Sequence, residues 1–132
     1  MTCLFCQIAA GEIPSNQVYA DDKAVAFLDI NPWHPGHALV IPRRHVADLL
    51  ADPEALAEIA PAISATAKLL AGKLGAHGVN ILSNAGAVAG QEVFHLHVHV
   101  VPRYESDPGL RALVKPDSDI DVAEIYWKIT RS

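Results

Sequence analysis

The alternation of polar and apolar residues is clearest at residues 94–101, where the sequence runs Phe-His-Leu-His-Val-His-Val-Val. Successive side chains of a β-strand point to opposite faces of the sheet. The stretch therefore predicts a strand with three imidazoles on one face and an apolar face that we expect to be buried. The two faces consist of His95, His97 and His99, and of Leu96, Val98 and Val100.

Other apolar runs predict four further strands. Residues 18–20 and 24–28 flank Asp21-Asp22-Lys23, which is typical of a β-hairpin. Residues 37–42 form the next apolar run, which ends at Pro42, and residues 79–83 form the last one before the histidine stretch. Loops punctuated by proline and glycine separate these runs, most clearly residues 29–36.

A long helix is predicted between Pro53 and Leu74, where apolar residues recur at helical spacing. These positions are Leu56, Ile59, Ile63, Ala67, Leu70 and Leu74. Pro61 should either kink this helix or mark the start of a second one. Residues 3–11 predict a short N-terminal turn or helix, with Gly11 near its end. The tail from Tyr104 onward is expected to be irregular, with a weak strand or helix at residues 122–129.

The order of these elements indicates an α+β fold. We expect an antiparallel sheet of about five strands, one main helix packed on a face of the sheet, and a short N-terminal helix. The sequence contains no internal repeat and no domain boundary, so residues 1–132 are expected to form a single domain.

Composition and charge argue against several classes of protein. Hydrophobic residues make up 51% of the 132 residues, which argues against disorder. The formal net charge of −5 argues against broad nucleic-acid binding, although a mononucleotide is compatible with it. We see no apolar run long enough to span a bilayer and no signal peptide, so we expect no membrane association and a cytoplasmic location.

Three imidazoles on one sheet face would crowd groups that titrate near neutrality, so a merely solvated polar face is a poor explanation. Two chemical interpretations remain, a metal site and a nucleophilic histidine. A neutral imidazole can attack phosphorus and form a phosphoramidate that water later hydrolyses. The loop before the histidines contains Gly86 and Gly90, which would let backbone amides approach an anion closely.

Cys3 and Cys6 are the only cysteines and are spaced as Cys-x-x-Cys. In a chain without a secretory signal, this spacing suggests metal or redox chemistry more than a structural disulfide. A tetrahedral zinc site needs two further ligands. Two buried free thiols are the alternative.

The sequence resembles the histidine triad (HIT) superfamily, in particular bacterial-type single-domain members with an N-terminal Cys-x-x-Cys. The resemblance covers residues 3–103. It includes the His-Leu-His-Val-His-Val-Val signature at 95–101. Upstream it includes residues 3–14, 27–32, 36–45, 83–86 and 89–91, and Val93.

The resemblance implies a nucleotide hydrolase or transferase that acts at the α-phosphate of nucleotide conjugates, either nucleoside phosphoramidates or dinucleoside polyphosphates. His97 falls on the family's nucleophile, which forms a covalent nucleotidyl-histidine, and His99 would contact the phosphate and leaving group. Asp29 matches a ribose ligand. The other implied nucleotide-binding residues are Phe5, Ile8, Leu28 and Ile30 at the base, His37 near the phosphate, and Asn84, Gln91 and the backbone of Val93 on the phosphate. For Phe5, Ile8 and Leu28, ordinary core packing explains the pattern equally well, and Asp29 could cap its loop.

The resemblance also implies a structural zinc ion held by Cys3, Cys6, His45 and His95. This assignment separates His95 from the two histidines that would do chemistry. A homodimer formed through a helix and an edge strand is a further implication.

One position departs from the family pattern. The phosphoramidase branch has a serine after Gly-Gln that donates to the leaving group, whereas this chain has Glu92. An ionised carboxylate offers no proton and repels phosphate. Two alternatives therefore stay open beside the hydrolase: a purine-nucleotide-binding adaptor with little catalysis, and a zinc hydrolase in which the three histidines hold a catalytic metal. His34 and His77 are expected at the surface, and Trp33 could contact a ligand or a partner or simply face solvent.

Overall fold

The computed structural model describes residues 3–107, 109–112 and 114–131. It has the expected α+β fold, with a five-stranded antiparallel sheet in the order β1-β2-β3-β5-β4. The strands are β1 (Gln17–Ala20), β2 (Ala24–Leu28), β3 (Ala38–Pro42), β4 (Gly78–Leu82) and β5 (Val98–Arg103). The helices are α1 (Leu4–Ala9), α2 (Pro53–Leu74) and α3 (Val122–Thr130), and short 3₁₀ turns cover Ala87–Ala89 and Gly109–Ala112.

The two faces of the sheet are covered by different helices. Along β3, Ala38 and Val40 belong to the core under α2, whereas Leu39 and Ile41 belong to a second core that includes Phe5 of α1. This is the alternation expected of a strand buried on both faces. The strand register pairs His99 of β5 with Leu39 on one side and Leu82 on the other. His99 therefore lies on an interior strand of the sheet, one strand from the β4 edge.

Helix α2 has the predicted bounds because both of its ends carry strong signals. The Asp52 side chain accepts a hydrogen bond from the Glu54 amide, Pro53 follows as the first helical residue, and Gly75 ends the helix with a left-handed φ of 69°. The helix continues through Pro61, so no second helix starts there. Pro61 and Ala57, whose carbonyl loses its partner, are both exposed, which leaves that carbonyl to water.

The buried stripe of α2 differs by a small rotation from the predicted one. Small residues allow the helix to lie close to the sheet, and Leu74, predicted in the stripe, is 47% exposed. The fully buried positions are Ala55, Ile59, Ala62, Thr66 and Leu70.

By length and composition α2 could also cross a membrane. It has 22 residues, and a window within it reaches a mean hydropathy of 1.2. The expectation that no stretch would be long and apolar enough is therefore wrong on these two criteria. The helix nevertheless packs on strands β1, β2, β3 and β5, as a core helix of a folded domain does.

The histidine strand begins later than predicted. Strand β5 starts at Val98, so His95 and His97 lie in the irregular segment before it. The hydrogen-bonding groups of that segment are used elsewhere, because the Leu96 amide donates to the Val46 carbonyl and the Ser83 hydroxyl donates to the His97 carbonyl. The predicted separation of faces still holds, since the apolar residues of the stretch are in the α2 core. The tail contains the helix α3 at the place where the sequence indicated a weak strand or helix, and this helix has no buried residue.

Candidate active site and metal cluster

A cavity of about 570 Å³ opens on the α1 side of the sheet, and we refer to it as the large cavity. It brings together most of the predicted nucleotide-binding residues. The apolar ones that line it are Phe5, Ile8, Leu28, Ile30 and Val93. The polar ones are Asp29, Asn84, His97 and His99, and Glu92 also borders the cavity. Ile30 is 87% exposed, so it belongs to the rim of the cavity rather than to a closed base pocket.

The tautomer of His97 follows from its hydrogen bond. Nδ1 of His97 lies 2.8 Å from the carbonyl oxygen of His95, which can only accept. Nδ1 therefore carries the proton, and Nε2 keeps a free lone pair. Phe5 packs edge-on against the His97 ring, with ring centroids 5.1 Å apart. The ring is thus held from two sides. His97 is one of the residues that border the large cavity.

His99 is held by a chain of hydrogen bonds that begins at a backbone amide. The Trp33 amide donates to Nδ1 of His37 over 3.1 Å, so the proton of His37 is on Nε2. Nε2 of His37 then donates to Nδ1 of His99 over 2.9 Å. In neutral His99 the remaining proton is therefore on Nε2, which makes this atom a hydrogen-bond donor.

Burial keeps His37 and His99, the two histidines joined by these hydrogen bonds, neutral. The pKa of His99 is lowered to about 4, chiefly by burial and then by the neighbouring His97 and His37, against a smaller opposing effect of Asp29. Burial likewise lowers the pKa of His37, against a smaller opposing effect of Asp29. His37 is 1% exposed and does not line the large cavity. His37 contacts His99, which does border the cavity, and its expected place near the phosphate stays a prediction.

Gln91 has a different place from the one expected. Its side chain is buried, with Oε1 accepting from the Gly86 amide and Nε2 donating to the carbonyls of Ala47 and Val93. All hydrogen-bonding groups of its amide are thus engaged inside the protein, and Gln91 orders the loop rather than lining the large cavity.

The two glycine amides of the loop are not available to an anion in this arrangement. The amides of Gly86 and Gly90 are engaged within the protein, the first by Gln91 and the second by the Ala87 carbonyl. Gly90, with a φ of 111°, approaches the Asn84 side chain so closely that an added Cβ would lie 3.4 Å from its Nδ2. Asn84 and Val93 are the predicted phosphate ligands that remain on the cavity wall.

Asp29 caps its loop and also borders the large cavity. Its Oδ1 accepts a hydrogen bond from the Asn31 amide over 2.9 Å, which caps the loop. Its Oδ2 lies 3.7 Å from Nε2 of His37, and the side chain is 18% exposed at the large cavity. One carboxylate oxygen is therefore used for structure, and the carboxylate still has acceptor capacity toward the cavity.

The four predicted metal ligands converge on one point. Their ligand atoms all lie within 4.8 Å of one another. Nδ1 of His95 is 3.4 Å from Sγ of Cys3 and 3.5 Å from Sγ of Cys6, and Nδ1 of His45 is 3.4 Å from Sγ of Cys6. Typical zinc–sulfur and zinc–nitrogen bonds at tetrahedral angles place sulfur and nitrogen about 3.6 Å apart. The cluster therefore has the dimensions of a tetrahedral zinc site.

The chemistry of this donor set agrees with its dimensions. Nε2 of His95 donates to the Pro42 carbonyl over 2.9 Å, which leaves Nδ1 unprotonated toward the sulfur atoms. Burial lowers the pKa of His95, so the ring is neutral, as a metal ligand must be. Burial and the neighbouring Cys3 raise the pKa of the Cys6 thiol, and a bound cation would reverse this effect.

A second group of possible ligands, Asp29, His37 and His99, is not a metal site. Its two imidazoles are joined by a direct hydrogen bond of 2.9 Å, which occupies the atoms that would face an ion. Among the described residues, His95 and His99 thus belong to different clusters, and no common metal joins the three histidines of the row. This arrangement argues against the catalytic-zinc alternative.

Helix α1 connects the metal cluster with the large cavity. Cys3 caps the helix and Cys6 is in its first turn, while Phe5 and Ile8 on the same helix line the cavity. Phe5 also packs edge-on against Phe27, with ring centroids 5.5 Å apart, and contacts both His95 and His97. The position of the cavity wall therefore depends on a helix that the cluster anchors.

The main feature that sequence reasoning left undecided is the position of Trp33. Its indole stacks on the His99 ring, with centroids 4.9 Å apart and an angle of 15° between the planes. It also contacts the His37 ring at 4.5 Å. Its place in a proline-rich loop just before His37 is the only sequence signal, and such a signal does not specify a contact with a residue 66 positions later. His77, by contrast, is exposed as expected.

Comparison with known proteins finds one family that matches most of the chain. The family model described as HIT domain matches residues 10–106. A HIT-like protein of Methanocaldococcus jannaschii is 49% identical over 107 residues, which are 80% of this chain and 81% of that protein. An adenylylsulfatase of Arabidopsis thaliana is 38% identical over 106 residues, which are 80% of this chain and 54% of that protein.

Solved structures agree with the fold. A HIT family member from Bacillus subtilis has a TM-score of 0.86 and 36% identity, with 98% of this chain and 95% of that chain covered. A zinc-bound histidine triad family protein from Mycobacterium smegmatis has a TM-score of 0.75 and 40% identity, with 90% of this chain and 85% of that chain covered.

Proposed function

Because the chain belongs to the HIT domain family, we propose that it is a nucleotide hydrolase or transferase that acts at the α-phosphate of nucleotide conjugates. Its candidate substrates are nucleoside phosphoramidates and dinucleoside polyphosphates. The observation that carries the proposal is the hydrogen bond from Nδ1 of His97 to the His95 carbonyl, which leaves the lone pair of the neutral ring on Nε2 in a residue that borders the large cavity. The similarity to an adenylylsulfatase supports hydrolysis of a nucleotide conjugate.

In the first step, the lone pair of His97 Nε2 attacks the α-phosphorus and displaces the leaving group, which departs with the electrons of its bond to phosphorus. The proton on Nδ1 and its carbonyl partner stabilise the positive charge that develops on the ring. In the second step, water attacks the same phosphorus, breaks the bond to Nε2 and releases the nucleoside monophosphate.

His99 serves the leaving group. It is neutral in the free protein, because its pKa is about 4. The Nε2–H of neutral His99 donates a hydrogen bond to the leaving atom, and the proton that this atom needs comes with the substrate or from water. His37 holds the ring in place through its hydrogen bond to Nδ1, which makes it a positioning residue.

The walls of the large cavity suggest how the nucleotide lies. Phe5, Ile8 and Leu28 form an apolar end that suits a purine base, with Ile30 at its rim. Asp29 accepts hydrogen bonds from ribose hydroxyls, and Asn84 and the Val93 backbone contact the phosphate. The residues that line this cavity include no lysine or arginine in the described part of the chain, so the phosphate is held by neutral donors.

We further propose that Cys3, Cys6, His45 and His95 hold a structural zinc ion, which the zinc-bound relative supports. When bound, the ion would supply four metal–ligand bonds and no step of the reaction. Its effect would be to fix α1 against the segment before β5, which keeps Phe5 against His97.

Strand β4 is an edge of the sheet, and Ile81 on this strand is 47% exposed. An exposed edge with an apolar residue is a template for pairing with a second strand. We propose that β4 pairs with its counterpart in a second copy and forms a homodimer.

The acidic Glu92 at the large cavity favours the alternative of a nucleotide-binding adaptor with little catalysis. Steady-state kinetics on adenosine and guanosine conjugates distinguishes this adaptor from the proposed hydrolase. The hydrolase proposal predicts turnover by the intact protein and loss of turnover in His97→Ala. Tight binding of AMP with no turnover of any conjugate would support the adaptor instead.

A further inference from the structure

Cys3 and Cys6 are the two cysteines of the chain, and both are half-buried. The proposed zinc site uses both as ligands, but two cysteines spaced as Cys-x-x-Cys also suit redox chemistry. Sγ of Cys6 lies 3.4 Å from Nδ1 of His45, whose side chain is exposed. A small oxidant in solution can therefore reach this side of the cluster.

The two sulfur atoms differ in the hydrogen bonds that they accept. The Cys6 amide donates to Sγ of Cys3 over 3.4 Å. Within the described part of the chain, no backbone amide donates to Sγ of Cys6. A donated hydrogen bond stabilises the thiolate and weakens it as a nucleophile. Cys6 is therefore the sulfur that reacts first with an oxidant.

The backbone places the two sulfur atoms within reach of a disulfide. Cys3 caps α1 and Cys6 lies in its first turn, which the Gln7 amide closes by donating to the Cys3 carbonyl over 3.0 Å. Residues three apart in such a turn have Cβ atoms about 5–6 Å apart, and a disulfide brings them to about 3.5–4.5 Å. Formation of a disulfide would therefore tighten the first turn of α1.

Phe5 lies between the two cysteines in the sequence, so a change in this turn acts on it directly. Its ring is buried and packs edge-on against His97 and Phe27, with ring centroids 5.1 Å and 5.5 Å away. These three side chains are part of the wall of the large cavity. Helix α1 has only six residues, too few to be stable by itself, so its anchors determine where Phe5 lies.

We propose that Cys3 and Cys6 form a reversible disulfide when a peroxide oxidises them, and that this disulfide expels the zinc ion and weakens nucleotide binding at the large cavity. The inference rests on the proposed function, both on the zinc site and on the nucleotide cavity. Thiolates are metal ligands and a disulfide is not, so oxidation would leave the ion only His45 and His95. The Cys3–Cys6 pair is thus a redox switch that acts through α1.

The oxidation proceeds in two steps. Sγ of Cys6 attacks one oxygen atom of hydrogen peroxide, so a sulfur–oxygen bond forms, the oxygen–oxygen bond breaks and hydroxide leaves. Sγ of Cys3 then attacks Sγ of Cys6, so the disulfide forms and a second hydroxide leaves. The two thiolates give up two electrons in total, which reduce the peroxide to two hydroxide ions. A dithiol reverses the reaction by thiol–disulfide exchange.

The composition of the chain makes the product easy to identify. No third cysteine is present, and Met1 is the only methionine. A disulfide within the chain lowers its mass by about 2 Da, whereas a sulfinic acid adds about 32 Da and a methionine sulfoxide about 16 Da. Mass spectrometry of the whole chain therefore distinguishes the redox switch from oxidative damage.

The test adds hydrogen peroxide to the intact protein. Released zinc is measured with a colorimetric chelator, and AMP binding is measured by titration calorimetry on a parallel sample. We expect one zinc ion to be released for each disulfide formed, and the Kd for AMP to rise about ten-fold. Dithiothreitol with added zinc should restore both. Retention of zinc, sulfinic acid in place of the disulfide, or an unchanged Kd in the oxidised chain would overturn the proposal.

Two variants serve as controls. His77→Ala changes an exposed histidine outside the cluster and should respond to peroxide as the intact protein does. Cys6→Ser cannot form a disulfide within the chain, so its affinity for AMP should not depend on peroxide or on later addition of dithiothreitol. A response of Cys6→Ser as large as that of the intact protein would contradict the redox switch. The measurements on the intact protein do not depend on how well this variant folds.

Measurements before oxidation separate this inference from the proposals on which it rests. Reduced protein that contains no zinc would contradict the structural zinc site, and reduced protein that binds no nucleotide would contradict the proposed function. Reduced protein that holds zinc and binds AMP, with no change in either after peroxide, would contradict the redox switch alone.

Discussion

Nε2 of His37 lies 2.9 Å from Nδ1 of His99, and both rings are buried. Because the Trp33 amide donates to the other nitrogen of His37, this pair has one defined arrangement of protons. The arrangement requires both rings to be neutral, since a second proton on either ring would leave two donors facing each other. A buried pair of this kind should make the stability of the protein depend on pH.

The first prediction concerns that dependence. The pKa of folded His99 is about 4, below its ordinary value of 6.5, so between these values the unfolded chain binds more protons. The contribution of neutral His99 to the free energy of unfolding is therefore fully present above pH 6.5 and is lost as the pH falls toward 4. From pH 6.5 to pH 5, His99 should contribute a loss of about 1–2 kcal/mol in the free energy of unfolding.

Urea titrations of the intact protein and of His99→Asn at several pH values measure this contribution. Any loss of metal at low pH affects both proteins, so the difference between their curves reports His99. His77→Asn, which changes an exposed histidine, is the matched control. Parallel curves for the intact protein and His99→Asn would show that His99 is not the group responsible.

The second prediction concerns the metal cluster. His45 is exposed, so His45→Ala leaves no cavity in the core and can act mainly through the metal. We expect the intact protein to contain one zinc ion per chain and the variant to lose it, together with at least about 2 kcal/mol of unfolding free energy. Elemental analysis and thermal unfolding are the measurements, with His77→Ala as control. Equal zinc content in the variant would exclude His45 as a ligand.

The third prediction separates the two roles of Asp29. Asparagine keeps the loop-capping hydrogen bond to the Asn31 amide but loses the charge that strengthens hydrogen bonds to ribose hydroxyls. Asp29→Asn should therefore raise KM about ten-fold and leave the melting temperature nearly unchanged. The 2′,3′-dideoxy form of the same substrate is the control, because it lacks those hydroxyls. A KM that rises equally for both substrates would contradict the ribose contact.

The fourth prediction concerns assembly. The intact protein should sediment as a dimer at micromolar concentration, and Ile81→Lys should shift it toward the monomer, since a lysine on an edge strand opposes pairing. Lys68 on α2 is exposed and offers a control site for charge alone, for example Lys68→Gln, which also changes the net charge by one unit. A monomer in the intact protein would remove the basis for a dimer through β4.

Local patterns were sufficient to predict the parts of the fold that local interactions determine. Helix α2 begins and ends where the Asp-Pro cap and Gly75 indicate, and β2 and β3 follow their apolar runs. The histidine strand starts late because the Leu96 amide donates to Val46, outside any strand, which no local pattern encodes. The same holds for Gln91, whose amide is satisfied by distant carbonyls, and for the stack of Trp33 on His99.

The description of the candidate site depended on both the sequence and the structure. The resemblance named the four residues of the metal cluster, and the structure brings them together. The hydrogen bonds that fix the proton positions of His97 and His99 come from a backbone carbonyl and a buried ring, and neither can be inferred from residue types alone. The proposed division of roles among the three histidines is therefore sharper than the sequence allowed.

The central claim is that His97 forms a covalent bond to the α-phosphate of a nucleotide. The most direct measurement is rapid acid-free quenching of the intact protein with an adenosine phosphoramidate, followed by mass spectrometry of the whole chain and of its peptides. We expect an added adenylyl group on the peptide that contains His97, which decays at the rate at which AMP appears. His97→Asn should form no adduct and lose turnover by on the order of a thousand-fold or more. Full turnover in His97→Asn, or an adduct on another residue, would contradict the claim.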